Sequence, residues 1–181
     1  MRSNIQKLIM TLLAFMLTVG AWAQASAPSM PEAIVNLNKF NGNWQAKWTS
    51  SMGDKSYQFD YNVKCMPVAG GSGSYWEENG THPTMGEMNS SDLFGFDRSD
   101  GKLHCYTVDN MGATRDQICE WKSPDHLIIT YNGSDNGKRV VEKTDLTFTS
   151  DNMLDVTATS MIDGKTQWSG SGSFRKIEDN K

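Results

Sequence analysis

The feature of this sequence that most constrains its fold is a strict two-residue alternation between residues 55 and 65. The apolar positions of the segment are Tyr57, Phe59, Tyr61, Val63 and Cys65. Polar residues occupy the positions between them. Because successive side chains of a β-strand point to opposite faces, this pattern predicts a strand with one buried face and one solvated face.

Similar segments follow one another from residue 42 to residue 176, separated by short clusters of Gly, Asn, Asp, Ser and Pro that are typical of turns. They predict ten strands, at residues 42–51, 55–65, 73–79, 91–97, 102–109, 114–122, 126–132, 138–149, 153–162 and 165–176. Evenly spaced strands with short connections indicate an up-and-down antiparallel meander. A meander of this size protects its edges most simply by closing into a barrel, so we predict an all-β fold with a closed or nearly closed barrel.

The first residues predict export. Arg2 and Lys7 precede an apolar run over residues 8–19, and small residues follow at Ala21 and Ala23. This order is typical of a secretory signal peptide, and the apolar run is too short to span a membrane. We therefore expect a protein that is exported to the periplasm or secreted, with a bacterial source favoured.

Three segments are predicted along the chain. Residues 1–23 are a cleavable signal peptide with an alternative end at 25, residues 24–38 are a linker and a short helix, and residues 39–181 are the β-barrel domain. The helix is predicted because Ile34 and Leu37 recur at helical spacing. The formal net charge of −4, without a basic run, argues against nucleic acid as a partner, and no membrane insertion is expected once the signal is removed.

The alternation rule places most of the large aromatic residues inside the barrel. The residues predicted to face inward are Trp44, Trp48, Tyr57, Phe59, Tyr61, Trp76, Phe94, Phe96, Trp121, Tyr131, Phe148, Trp168 and Phe174. Each such side chain buries on the order of 150 to 250 Å², so together they either line a pocket or fill the barrel. A cavity smaller than about 300 Å³ would favour a filled barrel.

The favoured function is binding of a small apolar or aromatic ligand in this interior. The predicted ligand contacts are Tyr57, Phe59, Tyr61, Trp76, Trp121 and Tyr131. The alternative is a filled barrel that acts through its surface as an envelope or secreted interaction protein. Nucleophile-elbow, phosphate-loop and paired-histidine zinc motifs are absent from the sequence, so we predict no catalytic residue, no metal and no cofactor, and a protein that is not an enzyme.

A long loop is predicted at residues 79–90, where His82 and the two methionines Met85 and Met88 are closely spaced. Methionines at a barrel mouth form an adaptable lid, which is the favoured interpretation. Imidazole and thioether groups also suit a soft ion such as Cu(I), which leaves a copper site as an alternative. A further hypothesis is an enzyme that uses His82, Glu87 or Cys65.

Both ends of the predicted barrel resemble the lipocalin and calycin pattern. In that pattern a Gly-x-Trp sequence begins the first strand, and a basic residue of the last strand packs across the tryptophan. Here Gly42 and Trp44 match the beginning, and Arg175 matches the basic residue. The resemblance implies a calycin-like barrel in which Arg175 lies on Trp44, although strict alternation turns Arg175 away from the side of Phe174.

The mature chain also resembles an uncharacterised calycin-like family, domain of unknown function family 1579. The matching segments are Phe40-Asn41-Gly42-Asn43-Trp44, Ala69-Gly70-Gly71, Leu93-Phe94-Gly95-Phe96-Asp97, Tyr106-Thr107-Val108-Asp109 and Phe174-Arg175. The chain departs from the family pattern after the paired glycines, where Ser72 follows. Because the family has no settled activity, the resemblance supports the fold and implies no function.

Three cysteines in an exported protein allow one disulfide. Cys105 and Cys119 lie symmetrically about Gly112, so a hairpin that turns there would place them opposite each other, close enough for a bridge. We predict this pairing, with Cys65 as a buried thiol; in the alternative, Cys65 pairs with one of the other two. The same register sets His104 opposite Glu120 as a surface ion pair.

Overall fold

The computed structural model describes residues 31–178, which form a closed barrel of ten antiparallel strands. A short helix α1 (Glu32–Leu37) and a 3-10 helix (Asn38–Phe40) precede the barrel. The strands are β1 (Gly42–Met52), β2 (Lys55–Val68), β3 (Gly73–His82), β4 (Gly86–Asp97), β5 (Lys102–Asp109), β6 (Thr114–Ser123), β7 (His126–Asp135), β8 (Lys138–Ser150), β9 (Met153–Ile162) and β10 (Lys165–Ile177). Each strand pairs with its neighbours in sequence, and β10 pairs with β1. The predicted fold class and its short N-terminal helix are confirmed.

The largest difference from the predicted strands lies at residues 79–90. The sequence predicts a long loop there, but β3 continues to His82 and β4 begins at Gly86, so a tight hairpin replaces the loop. Gly86 has a φ of 81°, a left-handed conformation that glycine adopts without a steric penalty. The alternation is hidden in the sequence because inward positions of this hairpin, such as Glu78 and Ser90, are polar.

Helix α1 and the 3-10 helix close one end of the barrel. Ile34, Leu37 and Phe40 are buried there. The indole Nε1 of Trp44 donates a hydrogen bond to the Phe40 carbonyl at 2.6 Å. The Phe40 ring also packs on Trp76, with their ring centroids 4.7 Å apart. These contacts fix the helical segment as a plug, so access to the interior must come from the opposite end.

The residue of β10 that covers Trp44 is Lys176, and the role predicted for Arg175 is therefore wrong. Lys176 is the register partner of Trp44, and its Nζ lies 5.2 Å from the centre of the indole ring. Arg175 is exposed, because alternation in β10 turns it away from the buried Phe174. Gly42 makes room for the lysine stem, since a Cβ at this position would lie 2.7 Å from Lys176 Cε.

The hairpin between β5 and β6 has a register two residues away from the predicted one. Cys105 pairs with Gln117, and Cys119 pairs with Leu103, because the turn is centred one residue before Gly112. The predicted opposition of the two cysteines is therefore wrong. Their thiols still interact as diagonal neighbours, and the cysteines of the structure are buried free thiols. The disulfide stays a prediction. Titration of free thiols in the unfolded protein tests it: a protein with the bridge has one free thiol, and a protein without it has three.

The predicted signal peptide, residues 1–23, lies outside the described residues, as does most of the predicted linker. Among the residues that the structure describes, no helix is long and apolar enough to cross a membrane.

Candidate functional site

The barrel encloses a cavity of about 460 Å³ that reaches from the plugged end to the opposite rim. Strands β1, β2, β9 and β10 supply an apolar wall. Its side chains include Trp44, Trp48, Val63, Leu154, Val156, Ala158, Trp168 and Phe174. The volume lies within the range of about 300 to 1,000 Å³ that small-molecule sites occupy. The aromatic residues therefore leave a space that can admit a small molecule.

Methionines surround the open end of this cavity. Met52 ends β1, Met85 and Met111 lie in the turns after β3 and β5, and all three are exposed, while Met88 follows on β4. Thioether side chains have several rotatable bonds and a polarizable sulfur, so they adapt to molecules of different shape. The rim is thus formed by flexible apolar groups, two of which belong to the segment in which a lid was predicted.

A chain of hydrogen-bonded polar side chains lies on the wall formed by β2 to β5. Glu78 Oε2 accepts hydrogen bonds from Tyr61 Oη at 2.8 Å and from Ser90 Oγ at 3.2 Å. Asp92 Oδ1 accepts a short hydrogen bond from Thr107 Oγ1. All five side chains line the cavity. The wall therefore presents two carboxyl groups whose protein partners are hydroxyls and each other.

The surroundings of Asp92 favour its protonated form. Burial raises the pKa of Asp92 from 3.8 to about 8, and the adjacent Glu78 carboxylate contributes to the rise. The hydrogen bond from Thr107 acts in the opposite direction on this pKa, but its effect is smaller. Asp92 is therefore protonated at neutral pH and can exchange a proton with a molecule bound beside it.

Arg115 contributes a half-buried cation to the same cavity and is held by two carboxylates. Its Nε lies 2.5 Å from Glu142 Oε2, and its second terminal nitrogen lies 3.1 Å from Glu142 Oε1. The first terminal nitrogen donates to Asp109 Oδ2 at 3.0 Å. This forked arrangement fixes the guanidinium and uses donors from all of its nitrogens.

Two of the six predicted ligand contacts, Tyr61 and Trp76, line the cavity. Tyr57 and Phe59 instead surround the imidazole of His82, with ring centroids 4.7 and 5.3 Å from it. These two rings face the same side of β2 as Tyr61, but they are used to bury the histidine.

The last two predicted contacts are also used for packing. Trp121 donates its indole hydrogen to the carbonyl of Ala33, which ties β6 to helix α1. Tyr131 lies along its own strand over Gly133, where a Cβ would meet the phenol oxygen at 2.1 Å. The ring is also 5.9 Å from the Arg115 guanidinium. The alternation predicted the face of the strand from which these side chains project. It could not predict whether the side chains extend to the cavity or pack against neighbouring residues.

His82 does not share a cleft with the other residues of the enzyme hypothesis. It is 1 % exposed, and its Nδ1 accepts hydrogen bonds from backbone N–H groups of the following turn at 3.2 and 3.3 Å. The cavity is lined by Cys65, whereas Glu87 is exposed and lines a polar groove elsewhere. Met85 and Met88 both line the cavity, and the copper alternative stays a prediction.

The charged residues of the cavity were not predicted from the sequence, although their pattern is visible there. Glu78 is two residues from Trp76 on β3, and Asp92 is two residues from Phe94 on β4, so each carboxyl shares a face with a core aromatic residue. A charge on a face that is otherwise apolar is costly to bury. Such positions are therefore good candidates for a site.

An acidic group with one histidine lies on the outer surface and is explained by local structure. His104 binds Asp116 at 2.9 Å and Asp100 at 3.1 Å, instead of the predicted Glu120. The two hydrogen bonds raise the pKa of His104 above 6.5. Asp97 accepts a backbone hydrogen bond from the adjoining turn. These contacts are those of an ordinary β-turn with a surface ion pair.

Comparisons with known proteins support the fold and add no family. No protein-family model matches this chain, and no curated protein matches it. Among solved structures, the S-type phycobiliprotein lyase CPES from Guillardia theta is similar, with a TM-score of 0.56 and 9 % sequence identity. The match covers 85 % of this chain and 100 % of that chain. The likeness supports the closed barrel fold, whereas the calycin resemblance and membership of domain of unknown function family 1579 stay predictions.

The prediction that the protein is not an enzyme is wrong as it was argued. It relied on the absence of familiar catalytic motifs, yet a barrel of the same fold belongs to a lyase. At 9 % identity this likeness shows the fold alone and gives no activity to this chain.

Proposed function

We propose that this protein binds a small, largely apolar molecule inside its barrel. The main support is the cavity of about 460 Å³, which is open at a methionine rim and lined by the indole rings of Trp48 and Trp168. Flat aromatic side chains offer large contact areas to a flat ligand. The alternative of a filled barrel is less well supported, because the cavity exceeds the threshold of about 300 Å³.

The proposal can be tested with N-phenyl-1-naphthylamine, a neutral aromatic probe whose fluorescence rises in apolar surroundings. We expect saturable binding to the protein of residues 24–181. Ala158 of β9 is buried and lines the cavity, so Ala158→Phe should occupy the site and abolish binding. Thr157 is the next residue of the strand and is exposed, so Thr157→Phe is a matched control that should bind as the wild type does.

Two results would contradict the proposal. One is the absence of saturable binding to wild-type protein whose circular dichroism shows a folded barrel. The other is equal binding by the Ala158→Phe and Thr157→Phe variants, which would place the probe on the surface.

We also propose that the protein is exported, with the barrel working in the periplasm or outside the cell. The support is the order of basic, apolar and small residues over residues 1–23. When the full chain is expressed in a bacterium, the exported form should begin at Gln24, or at Ser26 if the alternative site is used. A protein that keeps its first residues and stays in the cytoplasm would contradict this proposal.

A further inference from the structure

Glu78 and Asp92 are two cavity carboxyl groups without a protein counter-charge. In the part of the chain that the structure describes, neither forms an ion pair with a lysine, arginine or histidine. Glu78 is instead bound by the hydroxyls of Tyr61 and Ser90, and Asp92 by that of Thr107. A buried carboxyl group is stable when it is paired with a cation or neutralised by a proton, and on Asp92 a proton takes the place that a cation could occupy.

The nearby Arg115 forms its ion pairs with Glu142 and Asp109 instead. Its charge lowers the pKa of Asp92, but this is the smallest of the influences on that group. Two carboxylates surround this one guanidinium, so the cluster of Arg115, Glu142 and Asp109 carries more negative than positive charge. The polar side of the cavity is therefore acidic as a whole.

The opposite side of the same cavity is apolar. Trp48 stacks on Trp168 with ring centroids 6.4 Å apart, and Phe174 lies 6.0 Å from Trp48. A molecule that fills the space would meet carboxyl groups on one side and aromatic rings on the other. This combination suits a ligand with a positive nitrogen and a flat apolar body.

Building on the proposed function, we infer that the barrel selects an amphipathic cation. A protonated amine, or another positively charged group with N–H donors, lies between Glu78 and Asp92, while the apolar body packs on Trp48, Trp168 and Phe174. The cation takes the place of the proton on Asp92, so binding ionises Asp92 and releases that proton to solvent.

Other titratable groups also face Asp92 and define the electrostatic surroundings of the bound cation. From β2 these are Tyr61 and Cys65, from β3 Glu78, from β5 Cys105 and Asp109, from β6 Arg115, and from β8 Glu142. Burial raises the pKa of Tyr61 and Cys65 well above their ordinary values, and the interaction with the Cys119 thiol, followed by burial, does the same for the pKa of Cys105. These groups therefore stay neutral at pH 7. The proton released at this pH is therefore that of Asp92.

Three probes that share a naphthalene body separate charge from apolar contact. They are 2-(1-naphthyl)ethylammonium, the neutral 2-(1-naphthyl)ethanol and the anionic 3-(1-naphthyl)propionate. Because charge-assisted hydrogen bonds are stronger than neutral ones, the cation should bind about tenfold or more tightly than the alcohol. The anion should bind more weakly than the alcohol. Calorimetry at pH 7 in two buffers with different ionisation enthalpies should show the release of close to one proton with the cation.

Matched variants assign the preference to the two carboxyl groups. The Glu78→Gln, Asp92→Asn double variant keeps the shape of both side chains, and it should bind cation and alcohol with equal affinity and release no proton. Glu77 is the adjacent residue of β3 and is exposed, so Glu77→Gln should keep the cation preference. N-phenyl-1-naphthylamine should still bind saturably to all three proteins, which shows that the cavity remains open.

Failure of this inference can be distinguished from failure of the proposed function. If the neutral probes bind but the wild type shows no cation preference, the cavity is a binding site and the inference is overturned. If the double variant keeps the preference, the cation lies elsewhere and the inference is again overturned. If no probe binds to the folded protein, the proposed function itself fails.

Discussion

Gly170 and Gly172 of β10 lie directly against the indole ring of Trp48. A Cβ at Gly170 would be 2.3 Å from Trp48 Cζ2, and one at Gly172 would be 3.0 Å from Cε3. Both glycines keep ordinary strand conformations, so they are required here for space and not for a turn. At the scale of single residues, the position of Trp48 on the cavity wall therefore depends on missing side chains in the neighbouring strand.

We predict that Gly170→Ala destabilises the barrel by on the order of 1 to 3 kcal/mol, because the added methyl group must displace a buried indole. Urea unfolding followed by tryptophan fluorescence measures the change. Gly95 of β4 is a matched control, since a Cβ there meets no atom within 4 Å. Gly95→Ala should change the free energy of unfolding by less than about 1 kcal/mol. Equal losses in both variants would contradict the close packing of Trp48 on β10.

Asp92 gives a second prediction at the residue scale, which concerns pH. Its pKa is about 8 in the folded protein and 3.8 as its ordinary value, so between these pH values the folded state binds a proton that the unfolded state has lost. Stability from this group is therefore present at low pH and is lost as the pH rises toward 8. The slope is at most about 1.4 kcal/mol per pH unit.

Asp92→Asn should remove this slope, because the amide imitates the protonated acid and does not titrate. The free energy of unfolding, measured from pH 5 to pH 9, should thus rise in the variant relative to the wild type as the pH increases to 8 and stay constant above it. Asp151 is exposed in a turn at the plugged end, so Asp151→Asn should follow the wild-type curve. Parallel curves for Asp92→Asn and the wild type would show that Asp92 is ionised at neutral pH.

At the scale of elements, the joint between β1 and β10 closes the barrel. Six residues of each strand are in register there, including the pair Trp44 and Lys176. The ammonium group of Lys176 lies over the indole, and its stem occupies the space that Gly42 leaves free. The contact joins the first and last strands directly above the helical plug.

We predict that Lys176→Met destabilises the barrel by about 0.5 to 1 kcal/mol, because methionine keeps the apolar stem and loses the cation over the ring. Thermal unfolding followed by circular dichroism measures the change. The adjacent Arg175 is exposed, so Arg175→Met should alter stability by less than about 0.5 kcal/mol. A larger loss in Arg175→Met than in Lys176→Met would mean that Arg175 is the residue that covers Trp44.

Whether a strand could be predicted depends on whether its inward-facing side chains are apolar. Strand β2 was predicted because its inward-facing residues are apolar and its solvent-facing residues are polar. The β3–β4 hairpin was not predicted beyond residue 79, because polar residues at inward positions, such as Ser90 on the polar wall of the cavity, break the pattern. The β5–β6 register was wrong because the symmetry about Gly112 does not specify the length of the turn. The charged wall could be located only when strands distant in sequence were brought together.

At the scale of the whole molecule, the two ends of the barrel differ. One end is closed by the helical segment, with Lys39 bound to Asp125 at 2.7 Å across the rim. The other end carries exposed methionines around an open cavity. Within residues 31–178, the barrel therefore has a closed base, a methionine-lined open end, and a cavity with one apolar and one acidic wall. This arrangement was not predictable from alternation, which gives the direction of side chains but not the volume that they leave.

The most direct test of the central claim is to locate a bound probe by nuclear Overhauser effects. N-phenyl-1-naphthylamine in complex with the protein should show contacts to Leu154 and Val156 on the apolar wall and to the methyl group of Met88 near the rim. Contacts confined to the exposed Leu93 and Tyr106 on the outer face would place the probe outside the barrel and would contradict an internal binding site.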